Sequence, residues 1–255
     1  MMKVGLVLSG GGARAVAHIG VIQALEEMDL KFSQISGTSA GSIVGALYSH
    51  GYTPKEIFGI VQQVSIFKSV RPAWTWSGLL KMDGFQELLL KYLPENDYAK
   101  LKIPLTVAAT EIRKGEINYF SEGELVPTIM ASCSIPAVFN PLIFKGSMYV
   151  DGGLLDNLPA VPIRAKCDFL IGVHCNMVSQ TFDATNLKVV IERSLLMALG
   201  ANTLVSKQMC DMVIEPPGLD KYSSFDIGKA KEIFDIGYKF TKENFKKKQF
   251  EKALV

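Results

Sequence analysis

Ser39 lies in the pentapeptide Gly37-Thr38-Ser39-Ala40-Gly41, a G-x-S-x-G spacing whose small flanking residues let a chain turn sharply with the serine at its apex. Such a serine is a candidate nucleophile. It then needs an anion site for the charge its attack creates and a base for its proton. The run Ser9-Gly10-Gly11-Gly12-Ala13-Arg14 offers the first. Consecutive residues without Cβ let backbone N–H groups converge on one point, and a helix starting behind them adds a positive dipole. Asp151, in Val150-Asp151-Gly152-Gly153, offers the second, as a carboxylate ending an apolar run with two glycines to turn the chain away.

The same residues admit other chemistry. Gly10-x-Gly12-x-x-Ala15 also fits the dinucleotide fingerprint, and this keeps a nucleotide-binding oxidoreductase as an alternative. That fingerprint wants an acidic residue at the end of the second strand, where this chain has Ser36-Gly37-Thr38-Ser39. A Walker-type loop lacks its Gly-Lys-Ser/Thr. The chain has three histidines, His18, His50 and His174. The first falls inside a predicted helix and the second closes another. His174 ends a predicted strand and follows Asp151 in chain order, so a Ser/Asp/His triad stays open beside a direct Ser39–Asp151 pair. No His/Cys/Asp cluster has ligand spacing, so no metal and no cofactor is expected.

The elements that would position these residues alternate. Residues 3–9 read as a buried strand and 16–28 as a helix; 32–36 read as a second strand, 37–41 as a tight turn and 42–49 as an apolar helix. Thr53 and Pro54 read as the N-cap and first position of another helix. Further strands are predicted at 105–111, 117–120, 148–150 and 169–175, and helices at 124–132, 186–208 and 229–248. Strands alternating with helices, several of them apolar throughout, predict an α/β fold with a mostly parallel central sheet and helices on both faces. Residues 1–255 are read as a single domain with an insertion at about 52–102 forming a cap; that insertion holds Trp74, Trp76, Pro72 and the amphipathic run 85–93.

Charge and cysteine usage narrow the setting. The 27 Lys and Arg nearly balance 25 Asp and Glu, so nothing calls for nucleic acid as a partner. Cys133, Cys167, Cys175 and Cys210 show no pairing rhythm and read as free thiols in a reducing, cytoplasmic compartment. No window is long and apolar enough for a membrane span, and the short N-terminal apolar run reads as a strand, not a signal segment. The C-terminal run of Lys239, Lys242, Lys246, Lys247, Lys248 and Lys252 with Phe240, Phe245 and Phe250 has the makings of a basic amphipathic helix that meets anionic lipid peripherally, against the alternative of an ordinary solvated final helix.

Taken in order, the Gly10-Gly11-Gly12-x-Arg14 loop, Gly37-x-Ser39-x-Gly41 and Asp151-Gly152-Gly153 resemble the patatin-like phospholipase family. Ala109-Thr110-Glu111 followed by Gly115-Glu116, the block Ala131-Ser132-Cys133-Ser134-Ile135-Pro136-Ala137-Val138-Phe139-Asn140-Pro141, and Asp156-Asn157-Leu158-Pro159 are similar to further blocks of that family. The likeness covers about residues 3–175. It implies a three-layer sandwich related to the α/β-hydrolases, and a lipid acyl hydrolase with Ser39 as nucleophile, Asp151 as base and Gly10, Gly11 and Gly12 as oxyanion hole. Arg14 would bind substrate, by facing the oxyanion or a lipid head group, unless it makes an ordinary salt bridge. A catalytically silent regulator on the same fold is the other reading that the resemblance allows. This chain has Ala15 where the family's loop ends in glycine. That methyl group is harmless if residue 15 is already helical, as the pattern of 16–20 suggests. The apolar residues of the insertion, Phe58, Phe67, Trp74, Trp76, Leu79 and Leu80, are expected to border the cleft that takes the acyl chain.

Overall fold

The computed structural model describes residues 2–63, 71–75, 78–81, 83–136, 138–178, 187–224, 226–246 and 249. The first strand, β1 (Val4–Leu8), is buried at every position, as its unbroken apolar run requires. It passes through the glycine loop and one 3-10 turn (Gly12–Ala15) into α1 (Val16–Glu26). The unit repeats as β2 (Gln34–Thr38) and α2 (Ala40–His50), with Ser39 between them. Next come α3 (Pro54–Gln63), the strands β3 (Arg71–Thr75) and β4 (Gly78–Lys81), and α4 (Asp83–Tyr92). Thr53 caps α3 in a reciprocal box: its Oγ1 accepts from the Glu56 N–H at 3.3 Å while Glu56 Oε2 accepts from the Thr53 N–H at 2.8 Å.

The chain continues through β5 (Leu105–Glu111), β6 (Glu116–Phe120), α5 (Leu125–Ser132), β7 (Leu142–Phe144) and β8 (Ser147–Asp151). It ends in α6 (Val161–Arg164), β9 (Phe169–Val173), α7 (Leu187–Met209), β10 (Met212–Ile214) and α8 (Ala230–Asn244). The short β7, β10 and α6 and the β3–β4 pair were not predicted from the sequence. The last helix is shorter than its pattern suggested.

The sheet is mixed but mostly parallel, with β10, β9, β1, β2 and β5 in parallel register and β6, β7 and β8 antiparallel. Its two faces are separated by the alternation of β1: Val4, Leu6 and Leu8 join the main core beneath α1, α2 and α8, while Val7 joins a second cluster with Leu158, Ile163 and Leu170. Helices therefore cover both sides, as expected. All four cysteines are free. Among the described residues no helix is long and apolar enough to cross a membrane.

One detail of register decides where Ser39 and Asp151 stand. Both β2 and β8 pair with β5 along the edge opposite β6, one parallel and one antiparallel, so they run head-on. Thr38 ends β2 opposite Ala108 and Asp151 ends β8 opposite Ala109. Consecutive residues of β5 thus bring the residue after Thr38 and the carboxylate of Asp151 to the same point.

Helix α8 closes the main face by crossing α1 at two glycines. A Cβ on Gly20 would stand 2.2 Å from the Phe234 carbonyl oxygen, and one on Gly237 would stand 2.2 Å from that of Ala17. The aromatic face of α8 is used in this contact: Phe234 packs on Phe58 of α3 at 4.7 Å between ring centroids, and Phe240 and Phe245 lie against the core. Lys242 pairs with Glu27. Lys247, Lys248, Phe250 and Lys252 lie outside the described residues. Gly237→Ala should force the two helices apart and cost roughly 1–3 kcal/mol. Gly59→Ala, in α3 with nothing within 4 Å of the added Cβ, should stabilise by about 0.5–1 kcal/mol. Urea denaturation of the two variants checks both signs.

Candidate active site

Ser39 has φ 51° and ψ −131°, a left-handed conformation that costs a non-glycine residue of order 1–3 kcal/mol. Neighbours hold it there. The Ser39 N–H donates to Ser132 Oγ at 2.7 Å, and Ser132 Oγ donates to the Ala108 carbonyl at 2.6 Å, tying the turn to β5. Close approach explains the flanking glycines: a Cβ on Gly41 would lie 2.4 Å from the Ser9 carbonyl oxygen, and one on Gly37 would lie 2.8 Å from Gly41.

Ser39 Oγ donates to Asp151 Oδ2 at 2.6 Å. The other carboxylate oxygen accepts the Gly153 N–H at 2.8 Å, and the Asp151 N–H is held by the Ser134 carbonyl at 2.9 Å. Both side chains are buried. Burial raises the Asp151 pKa to about 6, against the opposing pull of the Ser39 and Gly153 hydrogen bonds. The carboxylate is therefore ionised at neutral pH yet more basic than an exposed aspartate.

No histidine shares this arrangement. His18 Nε2 contacts the Ser9 carbonyl at 2.8 Å, and burial pushes its pKa down to about 4. His50 meets Glu95, and His174 Nδ1 meets Glu215, which also binds Lys207. Among the described residues none of the three bonds to Ser39. The structure joins Ser39 directly to Asp151 and leaves His174 on another pair.

The glycine loop lies beside the serine, since a Cβ on Gly10 would sit 3.1 Å from that of Ser39. Its three N–H groups are not equivalent. That of Gly10 donates to the Asn157 carbonyl at 3.1 Å, so this donor, expected in the anion site, is taken up by the fold. Among the described residues Gly11 and Gly12 donate to no backbone carbonyl. Gly12 has φ 55°, which favours glycine, and a Cβ there would meet the Ser224 carbonyl at 2.3 Å. Ala15 has φ −64° and ψ −11°, so it is helical and its methyl group fits.

The Arg14 side chain is buried and its Nε donates to the Tyr222 carbonyl at 2.7 Å, which ties the glycine loop to the segment before α8.

A cavity of about 120 Å³ opens at Ser39. Its wall is apolar: Val16 and Ile19 from α1, Ile43 and Val44 from α2, Val61 from α3, Phe85 from α4, then Ile135, Phe139 and Ile227. Residues 52–102 thus contribute Val61 and Phe85, while Phe58 packs on α8 instead. Phe67 and Trp76 lie outside the described residues, and Trp74, Leu79 and Leu80 sit on the β3 and β4 strands. Cys133 was not singled out as a site residue, yet it faces Ser39 and Ser42; burial, then the Asp151 charge, raises its pKa so that it stays a neutral thiol. Ser132 was missed for a plain reason: nothing in a run of small residues says which one reaches back to another turn. Among the described residues no group of His, Cys, Asp and Glu has metal-site geometry.

A serine raised on a strand-to-helix turn, bonded to a buried aspartate and opening on an apolar cavity beside a glycine loop, defines a hydrolase-type site on a mixed α/β sheet. The chain belongs to the patatin-like phospholipase family, whose model matches residues 6–163. It is 28% identical to the lysophospholipase NTE1 of Meyerozyma guilliermondii over 95% of this chain and 19% of that one. It is 34% identical to an uncharacterized NTE family protein of Mycobacterium tuberculosis over 68% of this chain and 49% of the relative. The chain spans about a fifth of the length of the NTE1 relatives it matches. Its fold is shared with VipD of Legionella pneumophila, at a TM-score of 0.56 and 16% identity, over 95% of this chain and 66% of VipD.

Burying an aspartate that must be ionised costs stability. Because the folded pKa of about 6 exceeds the 3.8 of an unperturbed carboxyl, the native state binds more protons in that interval, and this group's contribution falls as pH rises through it. Asp151→Asn removes the charge; its amide oxygen can still accept the Gly153 N–H while its NH2 donates to Ser39 Oγ, reversing that bond. It should therefore match or exceed the native protein in thermal stability at pH 8, by up to roughly 3 kcal/mol, with the gap closing toward pH 4. Calorimetric melting across that range reads it.

Proposed function

We propose that this chain hydrolyses fatty-acyl esters of lipids, lysophospholipids among them, through a covalent acyl-enzyme on Ser39. The observation that carries the reading is the 2.6 Å hydrogen bond from Ser39 Oγ to a buried, partly basic Asp151 at the mouth of an apolar cavity. The lysophospholipase names of the NTE1 relatives agree with it.

Asp151 Oδ2 takes the hydroxyl proton as Oγ attacks the ester carbonyl carbon. Negative charge moves to the carbonyl oxygen, where the N–H groups of Gly11 and Gly12 receive it with the N-terminal dipole behind them. Ala40, whose N–H opens α2 without a side-chain cap, lies beside them in the wall. Collapse of the tetrahedral species breaks the ester C–O bond, and the leaving alcohol carries off the proton from Asp151. A water then gives its proton to Asp151, attacks the acyl-enzyme and releases the fatty acid, returning the proton to Ser39. Asp151 works here because burial lifts its basicity and the hydrogen bond to Ser39 is already made. The segment 52–102 acts as a cap, with Val61 and Phe85 covering the acyl chain.

Ser39→Ala and Asp151→Asn should each lower hydrolysis of p-nitrophenyl esters by at least roughly a thousandfold with circular dichroism unchanged. A fluorophosphonate should label the native chain at Ser39 and fail on Ser39→Ala. His174→Ala should keep activity within about tenfold of native, whereas in a triad it would be as inactive as Ser39→Ala. A native protein that neither labels nor hydrolyses would return the chain to the silent-regulator reading.

The same base sets the pH dependence. Since Asp151 must be ionised to accept the proton, kcat/KM should be level above about pH 7 and fall about tenfold per unit below about pH 6. A pH–rate profile lacking that limb would remove Asp151 from the role of base.

A further inference from the structure

We propose that α7 is a dimer interface: it packs antiparallel along α7 of a second copy of this chain, through an apolar stripe that repeats every seven residues and complements itself across a two-fold axis.

Helix α7 has two different faces. One is fixed to the domain: Thr203 is buried, Asn202 Nδ2 donates to the Leu154 carbonyl at 3.1 Å, and Ser206 Oγ donates to Asp156 Oδ1 at 3.4 Å. These bonds hold the helix behind the turn that follows Asp151. The opposite face is apolar and open to solvent. Among the described residues ten large hydrophobic side chains are exposed, and six of them, Leu187, Val190, Ile191, Met197, Leu204 and Val205, lie on it. Scattered singly, such residues need no explanation, but a contiguous stripe of them marks a surface that something covers.

The spacing identifies the cover as another helix. Counted from Leu187, the exposed residues of α7 take the first, fourth and fifth places of three successive heptads and close on Gln208; among the described residues of the helix none is exposed elsewhere. A straight helix drifts about 20° per heptad against such a repeat, so the stripe stays in contact only with a helix that coils along with it. A lipid surface calls for cations and aromatic rings beside the apolar residues. The exposed positions of α7 hold neither.

The order of residues along the stripe suits a copy of itself. In an antiparallel pair, residues at the first place of the heptad face residues at the fourth. A two-fold axis passing between residues 195 and 196 then sets Leu187 against Leu204, Val190 against Ala201 and Ser194 against Met197, and each contact occurs twice. Both small residues face large ones, and the leucines close the two ends. A parallel pair would set Ser194 on Ser194 and Ala201 on Ala201, leaving those two layers thinly filled. With six large side chains from each copy, at roughly 80 Å² apiece, about 1,000 Å² of apolar surface leaves water. That reaches the size of a specific interface.

Sedimentation velocity of the full chain, from micromolar to submillimolar concentration, tests this. The native chain should run at twice the mass of one copy. Met197→Glu and Leu204→Glu each put a carboxylate into a layer of the seam and should run as monomers with circular dichroism unchanged, because both side chains are exposed in the single copy. Ile143→Glu, at a comparably exposed apolar residue of β7, should remain a dimer. Disulfide trapping reads the register, with the native thiols as the blank. Val190→Cys combined with Ala201→Cys should link two copies on mild oxidation. Val190→Cys alone should not, since its two copies stand about 16 Å apart along the axis, the rise from residue 190 to residue 201, which is beyond the reach of a disulfide.

A native chain that stays monomeric throughout, or a dimer that survives both glutamates, would overturn the proposal. Cross-linking by Val190→Cys alone would do so too, since it belongs to a parallel pair. Binding of the monomeric native chain to phospholipid vesicles, abolished by Leu204→Glu, would assign the stripe to lipid instead.

Discussion

Everything at this site depends on holding one serine in a backbone conformation that a serine avoids. The φ of 51° at Ser39 turns its side chain out of the end of β2 and toward Asp151. A relaxed strand would instead carry it on past the sheet. The surrounding structure opposes that relaxation from three directions. Gly41 lets α2 start within contact of the β1 carbonyls, Ser132 grips the Ser39 N–H, and β8 arrives from the opposite direction to place the carboxylate. Strain of this kind persists only where neighbours over-determine it.

The second constraint is electrostatic. A carboxylate kept out of water is a stronger base than one in it, and the same burial opposes its ionisation. The site balances these with two hydrogen bonds, from Ser39 and Gly153. An imidazole would tolerate burial more easily in its neutral form, and His18 shows this by staying uncharged in the core. With Asp151 in that place beside Ser39, the raised basicity depends on burial. The cavity wall at Ser39, of isoleucine, valine and phenylalanine, is correspondingly apolar.

Much of this was legible in the residues. The elbow, the glycine loop and Asp151-Gly152 stand out because each demands small residues at fixed offsets, and the repeated strand–helix units follow from apolar runs. Thr53 and Pro54 marked a helix start through local chemistry alone. What the sequence hid is pairing. Nothing in residues 147–151 says that their strand would run against β5, or that it would meet β2 end to end. The fates of Gly10 and Arg14 were hidden for the same reason: Asn157 and Tyr222, which occupy them, lie far along the chain. The β3–β4 strands and the shorter last helix escaped because their residues match more than one pattern.

The crossing of α1 and α8 bears on the order in which the site is completed during synthesis. The segment that braces the glycine loop, through the carbonyls of Tyr222 and Ser224, and the helix that locks α1 through Gly237 are both made after the last strand of the sheet. On the ribosome, Ser39 and Asp151 emerge long before this brace does. The nascent chain therefore carries Ser39 and Asp151 before the segment that fixes the glycine loop has been made.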